Sequence, residues 1–118
     1  MANSIAKADT PIFKLLFNAG TQLHGSSGPF LGFLDYASPE QANLTIADSL
    51  KDYFLSFAIH LDPNVESWSN VSKPMWPDYK VGEAMRFTYT EIGAVSDLYY
   101  DNNERCRFFE ANSEVVQN

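Results

Sequence analysis

His24 is the residue whose type and setting best fit catalytic chemistry. It lies in residues 20–30, a stretch rich in Gly and Ser that follows an apolar run at residues 12–17. A strand that ends in such a loop is a common way to present an imidazole at the rim of a sheet. Because an imidazole gains and loses a proton near neutral pH, it can act as a general acid and base. Most loop histidines have no such role, so His24 by itself defines only a candidate site.

The composition limits the classes of function. The chain has 118 residues, which fits one small domain, and its apolar fraction of 45% is typical of globular proteins. The formal net charge is −7 at pH 7, and the 8 basic residues are scattered along the chain. Nucleic-acid binding is therefore excluded, since phosphate contacts need clustered Lys and Arg. The single cysteine, Cys106, leaves no internal disulfide and no cysteine-based zinc site.

The sequence contains no recognisable targeting or membrane segment. No apolar stretch is long enough to span a bilayer, and residues 1–9 lack the apolar core of a signal peptide. We therefore expect no membrane span, and the localisation is left open. Residues 1–10 are predicted to be a polar lead-in and residues 113–118 a frayed tail, so the folded segment is expected at residues 11–112.

A strand and a helix are expected to position the His24 loop. Residues 11–18 are almost continuously apolar, which is typical of a strand covered on both faces, as in a parallel sheet. A helix start is predicted at Ser38 and Pro39, since serine caps helices and proline suits the first turn. The helix is expected to end near Leu61, because the proline that follows disfavours helical geometry in the residue before it.

The predicted helix carries one apolar face. Large side chains recur at three- and four-residue spacing, which places them on the same side of the helix. The face expected to be buried consists of Leu50, Tyr53, Phe54, Phe57, Ala58 and Leu61. The residues expected mostly on the other side are Asp48, Lys51 and Asp52.

The remainder of the chain is expected to add a packed loop, a strand and a terminal helix. Residues 68–80 hold two Trp and two Pro, which indicates an ordered connection. Residues 85–90 alternate well enough to predict a short strand with one buried face, and residues 104–110 resemble a helix. The aromatic residues expected in the core are Phe30, Phe33, Trp68 and Trp76.

Several motifs follow one another in an order typical of one enzyme family. They are Phe57-Ala58-x-x-Leu61-Asp62-Pro63-Asn64, then Trp76-Pro77-x-Tyr79, then Arg105-Cys106-x-Phe108-Phe109. With the His-Gly pair at His24, this series resembles the C-terminal end of type-B carboxylesterases, the cholinesterase-like branch of the α/β-hydrolases. The resemblance covers residues 11–109. It implies an α/β class and a partial α/β-hydrolase fold, with a last core strand, the His loop, a long amphipathic helix and a short C-terminal strand and helix.

The resemblance also implies a reaction. The family hydrolyses carboxylic esters through an acyl-serine intermediate without a cofactor, and His24 matches its catalytic histidine. At family level the protein would be secreted and would act on its ester substrate only at full length. Three positions are notable. Ser27 stands where an acidic residue is usual, Phe109 where Trp is commoner, and Cys106 at a position whose usual disulfide partner is absent.

The catalytic triad is incomplete in this chain. In α/β-hydrolases the order along the chain is Ser, then Asp or Glu, then His. No Gly-x-Ser-x-Gly elbow precedes His24, and neither Ser26 nor Ser27 has a Gly both two residues before and two residues after it. We therefore expect the isolated chain to be inactive on esters and to contribute only the triad His.

We expect the other titratable residues to have structural roles. The carboxylates that follow His24, against the family order, are rejected as triad acids: Asp35, Asp62, Asp78 and Asp97. Asp97 and Asp101 also lack the ligand spacing of a cation site and are expected in solvated loops. His60 lies near the end of the predicted helix, where an imidazole interacts favourably with the helix dipole.

A second class of function stays open. The predicted strand would normally pair with parallel strands that this chain does not encode, so apolar faces of the strand and the helix would be left uncovered. A stand-alone, non-catalytic binding or interaction protein derived from the α/β-hydrolase fold would use such a face to dock a protein partner. A small independent esterase is the third reading.

Overall fold

The computed structural model describes residues 10–20, 24–31, 41–99, 104–112 and 114. Its elements are β1 (Leu15–Phe17), α1 (Gly28–Leu31), α2 (Gln41–His60), β2 (Glu83–Phe87), β3 (Ile92–Ser96) and α3 (Glu104–Ala111), with short 3-10 helices at Tyr79–Val81 and Asp97–Tyr99. Helices combined with a small mixed sheet make this a mixed α/β structure. Several predicted features lie outside the described residues: most of the polar lead-in and tail, the helix start at Ser38 and Pro39, Phe33, Asp35 and Asp101.

The sheet has three strands in the order β1-β2-β3. β1 pairs parallel with β2, with Leu15 opposite Met85 and Phe17 opposite Phe87. β3 pairs antiparallel with β2. A parallel pair needs a crossover connection, and here the crossover contains the His24 loop and α2.

β1 is an edge strand. Residues 12–18 are all half-buried, so the prediction of a strand covered on both faces is wrong. β1 also has a neighbour on one edge only in the described part of the chain. The apolar run correctly indicated a strand with a parallel partner, but that partner is β2 of this chain, where we expected strands that the chain does not encode, and the sheet as a whole is mixed.

α2 ends where the sequence predicts. Its last residue is His60, and Leu61 takes the left-handed conformation at φ 60° while its amide donates to the Phe57 carbonyl (2.8 Å). The prediction for the buried face is correct only in part. Leu50 and Tyr53 are buried, whereas the face residues nearer the C-terminus are exposed: Phe54, Phe57, Ala58 and Leu61.

The C-terminal half of α2 buries polar residues instead. Asp52, expected on the solvent side, is 3% exposed, and Ser56 is fully buried. Both bind the backbone of the loop that follows α2: Asp52 accepts from the Trp68 amide (3.1 Å), and the Ser56 hydroxyl donates to the Asp62 carbonyl (2.7 Å). The helix is therefore turned so that its polar side meets this loop, and no sheet in the described part of the chain covers the apolar side chains beyond Tyr53.

β2 and β3 form a hairpin, of which the sequence predicted only the first strand. The turn is closed by the Thr88 amide, which donates to the Glu91 carbonyl (2.8 Å), and by the Thr88 hydroxyl, which accepts from the Glu91 amide (2.9 Å). β3 was missed because its residues, Ile92–Ser96, include Gly, Ala and Ser and form no strong alternating pattern.

The core lies between α2 and the sheet. Its buried residues are Ala19, Phe30, Ile46, Ala47, Leu50, Tyr53, Trp76, Met85 and Phe87. Phe30 and Trp76 are thus core residues as predicted, but Trp68 is 51% exposed, which contradicts that expectation. α3 is confirmed as a helix, and its aromatic pair, Phe108 and Phe109, is exposed.

Candidate functional site

His24 lies at the carboxyl end of β1. It begins a turn that leads directly into α1, and its side chain is exposed. The turn is local: the Gly28 amide donates to the Gly25 carbonyl (2.9 Å), and Gly25 takes φ 81°, a conformation that favours glycine. Phe30 anchors α1 by packing on Phe17 at a ring separation of 5.1 Å. The exposed imidazole of His24 therefore lies close in sequence to Phe30, whose side chain is fixed by an apolar contact.

The His24 imidazole has no hydrogen-bond or ion-pair partner within the residues that the structure describes. Ser26 and Ser27 follow it directly, but neither hydroxyl is bonded to it. The described residues also contain no group of three or more His, Cys, Asp or Glu side chains arranged to hold a metal ion. Among the described residues, His24 therefore has neither a nucleophile nor a carboxylate bonded to it.

A shallow cavity with a mixed polar and apolar lining lies at the same end of the sheet. This carboxyl-end cavity encloses about 330 Å³ and is lined by the turn at residues 88–91, by Thr45 of α2 and by Ser72. The His24 loop begins close to it, since a Cβ atom built on Gly20 would lie 3.8 Å from the Tyr89 hydroxyl. Gly20 takes φ 72°, a conformation that favours glycine, while the distance itself would leave room for a Cβ atom.

A buried ionic cluster occupies the opposite, amino end of the sheet. Asp97 is 1% exposed, and both of its oxygens accept from Lys14 Nζ, at 2.9 and 2.8 Å. The Tyr79 hydroxyl also donates to Asp97, and Lys14 Nζ lies 5.4 Å from the centre of the Tyr79 ring. The prediction that Asp97 lies in a solvated loop is therefore wrong. A buried carboxylate with a bonded cation is a structural anchor.

Lys14 was the signal by which the sequence could have revealed this cluster. It is the only charged residue in the apolar run at residues 11–18. A lone Lys in a strand that is otherwise apolar needs a buried partner, because an unpaired buried charge is costly. What the pattern cannot tell is which of the many carboxylates supplies that partner.

Asp52 anchors the loop that follows α2. Its carboxylate accepts from the Ser69 hydroxyl (2.5 Å) and amide (3.1 Å) and from the Trp68 amide. Burial by itself raises the pKa of this carboxyl, but these hydrogen bonds and the positive charge of Lys73 outweigh it and hold the pKa below its ordinary value of 3.8. Asp52 is therefore ionised near neutral pH, and its role is structural.

The remaining candidates are bound locally. His60 is in the last turn of α2, as predicted, and its Nε2 lies 3.2 Å from a carboxylate oxygen of Glu66. Asp62 accepts from the Asn64 amide (2.8 Å), and Asp78 accepts from the Lys80 amide (3.1 Å). None of these groups is bonded to His24 in the described part of the chain, in keeping with their rejection as triad acids.

A second, apolar cavity lies at the amino end of β1, away from His24. This amino-end cavity encloses about 330 Å³ between the segment that leads into β1, the exposed side of α2 and the Trp76 loop. Its principal lining residues are Pro11, Ile12, Phe13, Phe54, Phe57 and Trp76. Trp76 is thus both a core residue, as predicted, and part of the wall of this cavity.

Comparison with protein-family models and with curated proteins finds no match for this chain. Within the described residues, no helix is both long enough and apolar enough to cross a membrane. The main chain at Cys106 is helical, in α3, but its side chain lies outside the description.

Proposed function

We propose that residues 11–112 are the C-terminal segment of a carboxylic-ester hydrolase of the type-B carboxylesterase kind, in which His24 is the general acid and base. The observation that carries the proposal is the place of His24: an exposed imidazole at the carboxyl end of a strand that pairs parallel with its neighbour. In open α/β sheets, ligands bind outside the carboxyl ends of the parallel strands. The motif order seen in the sequence supports the same family and a partial α/β-hydrolase fold.

The open edge of β1 supports a larger sheet in the full-length protein. Lys14 and Asn18 direct their backbone groups to β2, since Met85 donates to the Lys14 carbonyl (2.9 Å) and Asn18 to the Phe87 carbonyl (2.8 Å). Backbone groups alternate between the two edges of a strand, so those of Leu15 and Phe17 face the other edge. No described strand pairs there. A strand from the preceding part of the domain would satisfy these groups.

In the proposed mechanism the nucleophile comes from that preceding part. His24 accepts the proton of a serine hydroxyl as the serine oxygen attacks the acyl carbon of the ester, and it then returns this proton to the leaving alcohol. Water repeats the sequence to release the acid. No cofactor is required. The exposure of His24 and its lack of a bonded partner are compatible with a role that begins only when the serine and the acid are brought to it.

The isolated chain is expected to be inactive. Removal of the serine from such a triad lowers kcat by about a million-fold. Neither Ser26 nor Ser27 is bonded to His24, so neither replaces it in the described structure. Release of p-nitrophenol from p-nitrophenyl butyrate should therefore stay at the uncatalysed rate, and a burst of release would contradict the proposal.

A chimaera tests the positive side of the proposal. Residues 11–112 replace the corresponding C-terminal segment of a type-B carboxylesterase that carries its own serine elbow and acid. The chimaera should hydrolyse p-nitrophenyl butyrate, and His24→Gln should lower kcat by at least about a thousand-fold. His60→Gln is the matched control, because the other histidine of the chain is bound to Glu66 and should leave kcat unchanged. A folded chimaera that is inactive, or whose activity survives His24→Gln, contradicts the assignment.

A non-catalytic binding protein is the second candidate. The observation in its favour is the set of exposed apolar side chains on the C-terminal half of α2: Phe54, Leu55, Phe57 and Ile59. A monomeric protein rarely leaves such a group uncovered without a use for it. If the isolated chain is monomeric and melts cooperatively, while the chimaera fails, this second function is favoured over the first.

A further inference from the structure

We propose that the amino-end cavity is a binding site for small, uncharged apolar molecules, of the class of medium-chain alcohols and aromatic hydrocarbons. The inference goes beyond ester hydrolysis and does not rest on it. The cavity lies at the opposite end of the parallel pair from His24, and every residue that lines it belongs to this chain.

The size of the cavity suits a small ligand. It encloses about 330 Å³, at the lower end of the range of known small-molecule sites, which is about 300–1,000 Å³. Phe13 packs edge-to-face on Phe57 of α2 at a ring-centroid distance of 6.0 Å, and Phe54 and Trp76 also line the cavity. A ligand in this position would cover side chains of α2 that are otherwise in water.

The walls are fixed before any ligand arrives. The Trp76 indole N–H donates to the Lys14 carbonyl (3.1 Å), and the Trp76 amide donates to the Asn64 side-chain oxygen (2.7 Å). The Tyr53 hydroxyl donates to the Pro74 carbonyl. The ring of Trp76 is also held edge-on by Tyr53 at 5.1 Å and by Phe13 at 6.5 Å. A preformed wall of this kind needs little ordering when the ligand binds.

The same contacts define the chemistry of the ligand. The polar groups on the lining side chains are the Trp76 N–H and the Tyr53 hydroxyl, and both are already bonded to backbone carbonyls. Burial raises the pKa of Tyr53 above its ordinary value of 10.0, so this hydroxyl is neutral. No lining side chain carries a charge. A carboxylate or ammonium group would lose its hydration without gaining a partner, which is very costly; the cost for a single hydroxyl is much smaller, and a hydrocarbon has no such cost.

A titration with three ligands of one chain length tests this class. Trp68→Phe leaves Trp76 as the sole tryptophan, so the fluorescence reports the cavity wall. We expect 1-octanol to give a saturable change and both octanoate and octylammonium to bind at least about tenfold more weakly. No saturable change with octanol overturns the proposal. Equal or tighter binding of octylammonium overturns it as well and assigns the aromatic side chains to a cation.

Matched variants localise the site. Phe57 and Leu55 are both about half exposed on α2, but only Phe57 lines the cavity. Phe57→Ala should weaken octanol binding at least about fivefold, and Leu55→Ala should leave it unchanged. Ile12→Phe places a larger side chain in the lining of the cavity, so it should also weaken octanol binding. If both cavity variants bind octanol as the parent does, the amino-end cavity is not the site.

The occupant could instead be a second copy of the chain, and sedimentation velocity separates the two cases. We expect a monomer with and without octanol. A dimer that octanol dissociates would overturn the proposal, because the cavity would then be a protein interface. The chimaera experiment has an independent readout, so a failure of ligand binding and a failure of the esterase assignment are distinguishable.

Discussion

The two ends of the β1–β2 pair use polar residues in opposite ways. At the amino end, Lys14, Tyr79 and Asp97 are bonded to one another, and Asp97 is buried. At the carboxyl end, His24 is exposed and has no bonded partner among the described residues. Different segments carry these side chains: Asp97 follows β3, Tyr79 lies in the 3-10 helix before β2, and His24 lies in the turn before α1. The two ends therefore differ in the burial and the bonded partners of the side chains that these segments bring there.

This contrast distinguishes residues that stabilise the sheet from His24, whose exposed side chain is available for a reaction. A buried charge needs a partner, and removing that partner is costly. An exposed imidazole needs none, and replacing it costs almost nothing. If the contrast is correct, substitutions at the amino end and on the buried side of α2 should change stability, and substitution of His24 should change only chemistry.

The largest effect is expected from Asp97→Ala. The substitution leaves Lys14 and the Tyr79 hydroxyl without their carboxylate, and breaking a buried ion pair in this way costs about 3–5 kcal/mol. Urea unfolding followed by circular dichroism measures the free energy of unfolding. A loss below about 1 kcal/mol would show that the cluster does not hold the sheet, since surface substitutions fall in that range.

A double variant checks whether the cost arises from the loss of the Lys14–Asp97 ion pair. Lys14→Met combined with Asp97→Leu removes both charges and keeps apolar volume. Because a buried ion pair can often be replaced by apolar residues at little cost, the double variant should be more stable than Asp97→Ala alone. If it is less stable, packing around Asp97 matters more than the charge of Lys14.

The sequence predicted the elements better than it predicted their surroundings. The apolar run, the end of α2 and α3 are local features, and local spacing was enough to find them. Whether Phe57 is covered depends on residues far away in the chain, as does the burial of Asp52. Periodicity assigns side chains to a face, but it cannot say which neighbour that face will meet, and so the C-terminal half of α2 was oriented wrongly.

The second prediction concerns Asp52 and pH. The fold holds the pKa of Asp52 below its ordinary value of 3.8, so its stabilisation is complete above that value and is lost as the pH falls through the lower folded value. At pH 7, Asp52→Asn should cost about 1.5–3 kcal/mol, because a charged acceptor of three N–H and O–H donors is lost. The difference in the free energy of unfolding between the parent and Asp52→Asn should become smaller below about pH 4.

Asp48 provides the control for the loss of the carboxylate contacts. It lies on the same helix, half-buried, and its side chain makes no hydrogen bond within the described residues. Asp48→Asn should therefore change the free energy of unfolding at pH 7 by less than about 0.5 kcal/mol. If Asp52→Asn keeps the parent's full loss of stability between pH 4 and pH 2, the carboxylate of Asp52 is not its source.

Two buried serines of α2 give a smaller and sharper comparison. Ser49 and Ser56 are both fully buried. The Ser56 hydroxyl donates to the Asp62 carbonyl and accepts from the Val65 and Glu66 amides, both at 3.2 Å. The Ser49 hydroxyl has no partner in the described part of the chain. Ser56→Ala should therefore destabilise by about 1–2 kcal/mol, whereas Ser49→Ala should be neutral or stabilising. Equal losses in the two variants would mean that hydrogen bonding does not distinguish them.

The sequence could predict where the candidate site lies along the chain, but not the contacts around it. His24 in a Gly- and Ser-rich loop after an apolar run was sufficient to place an imidazole at the end of a strand. The sequence could not show that His24 makes no ionic contact in the described part of the chain, while Lys14 and Asp97 are paired at the other end. Such pairing joins residues more than eighty positions apart, and only the sheet brings them together.

The smallest effect is expected from His24→Gln in the isolated chain. Since the side chain is exposed and has no bonded partner in the described structure, the free energy of unfolding should change by less than about 0.5 kcal/mol. In the chimaera the same substitution should abolish ester hydrolysis. A large loss in the free energy of unfolding of the isolated chain would mean that His24 stabilises its loop. The polar residues at both ends of the sheet would then have structural roles. A general acid and base without a structural role should affect the reaction and leave the fold unchanged. Urea unfolding of the isolated His24→Gln variant tests the second of these properties without any substrate.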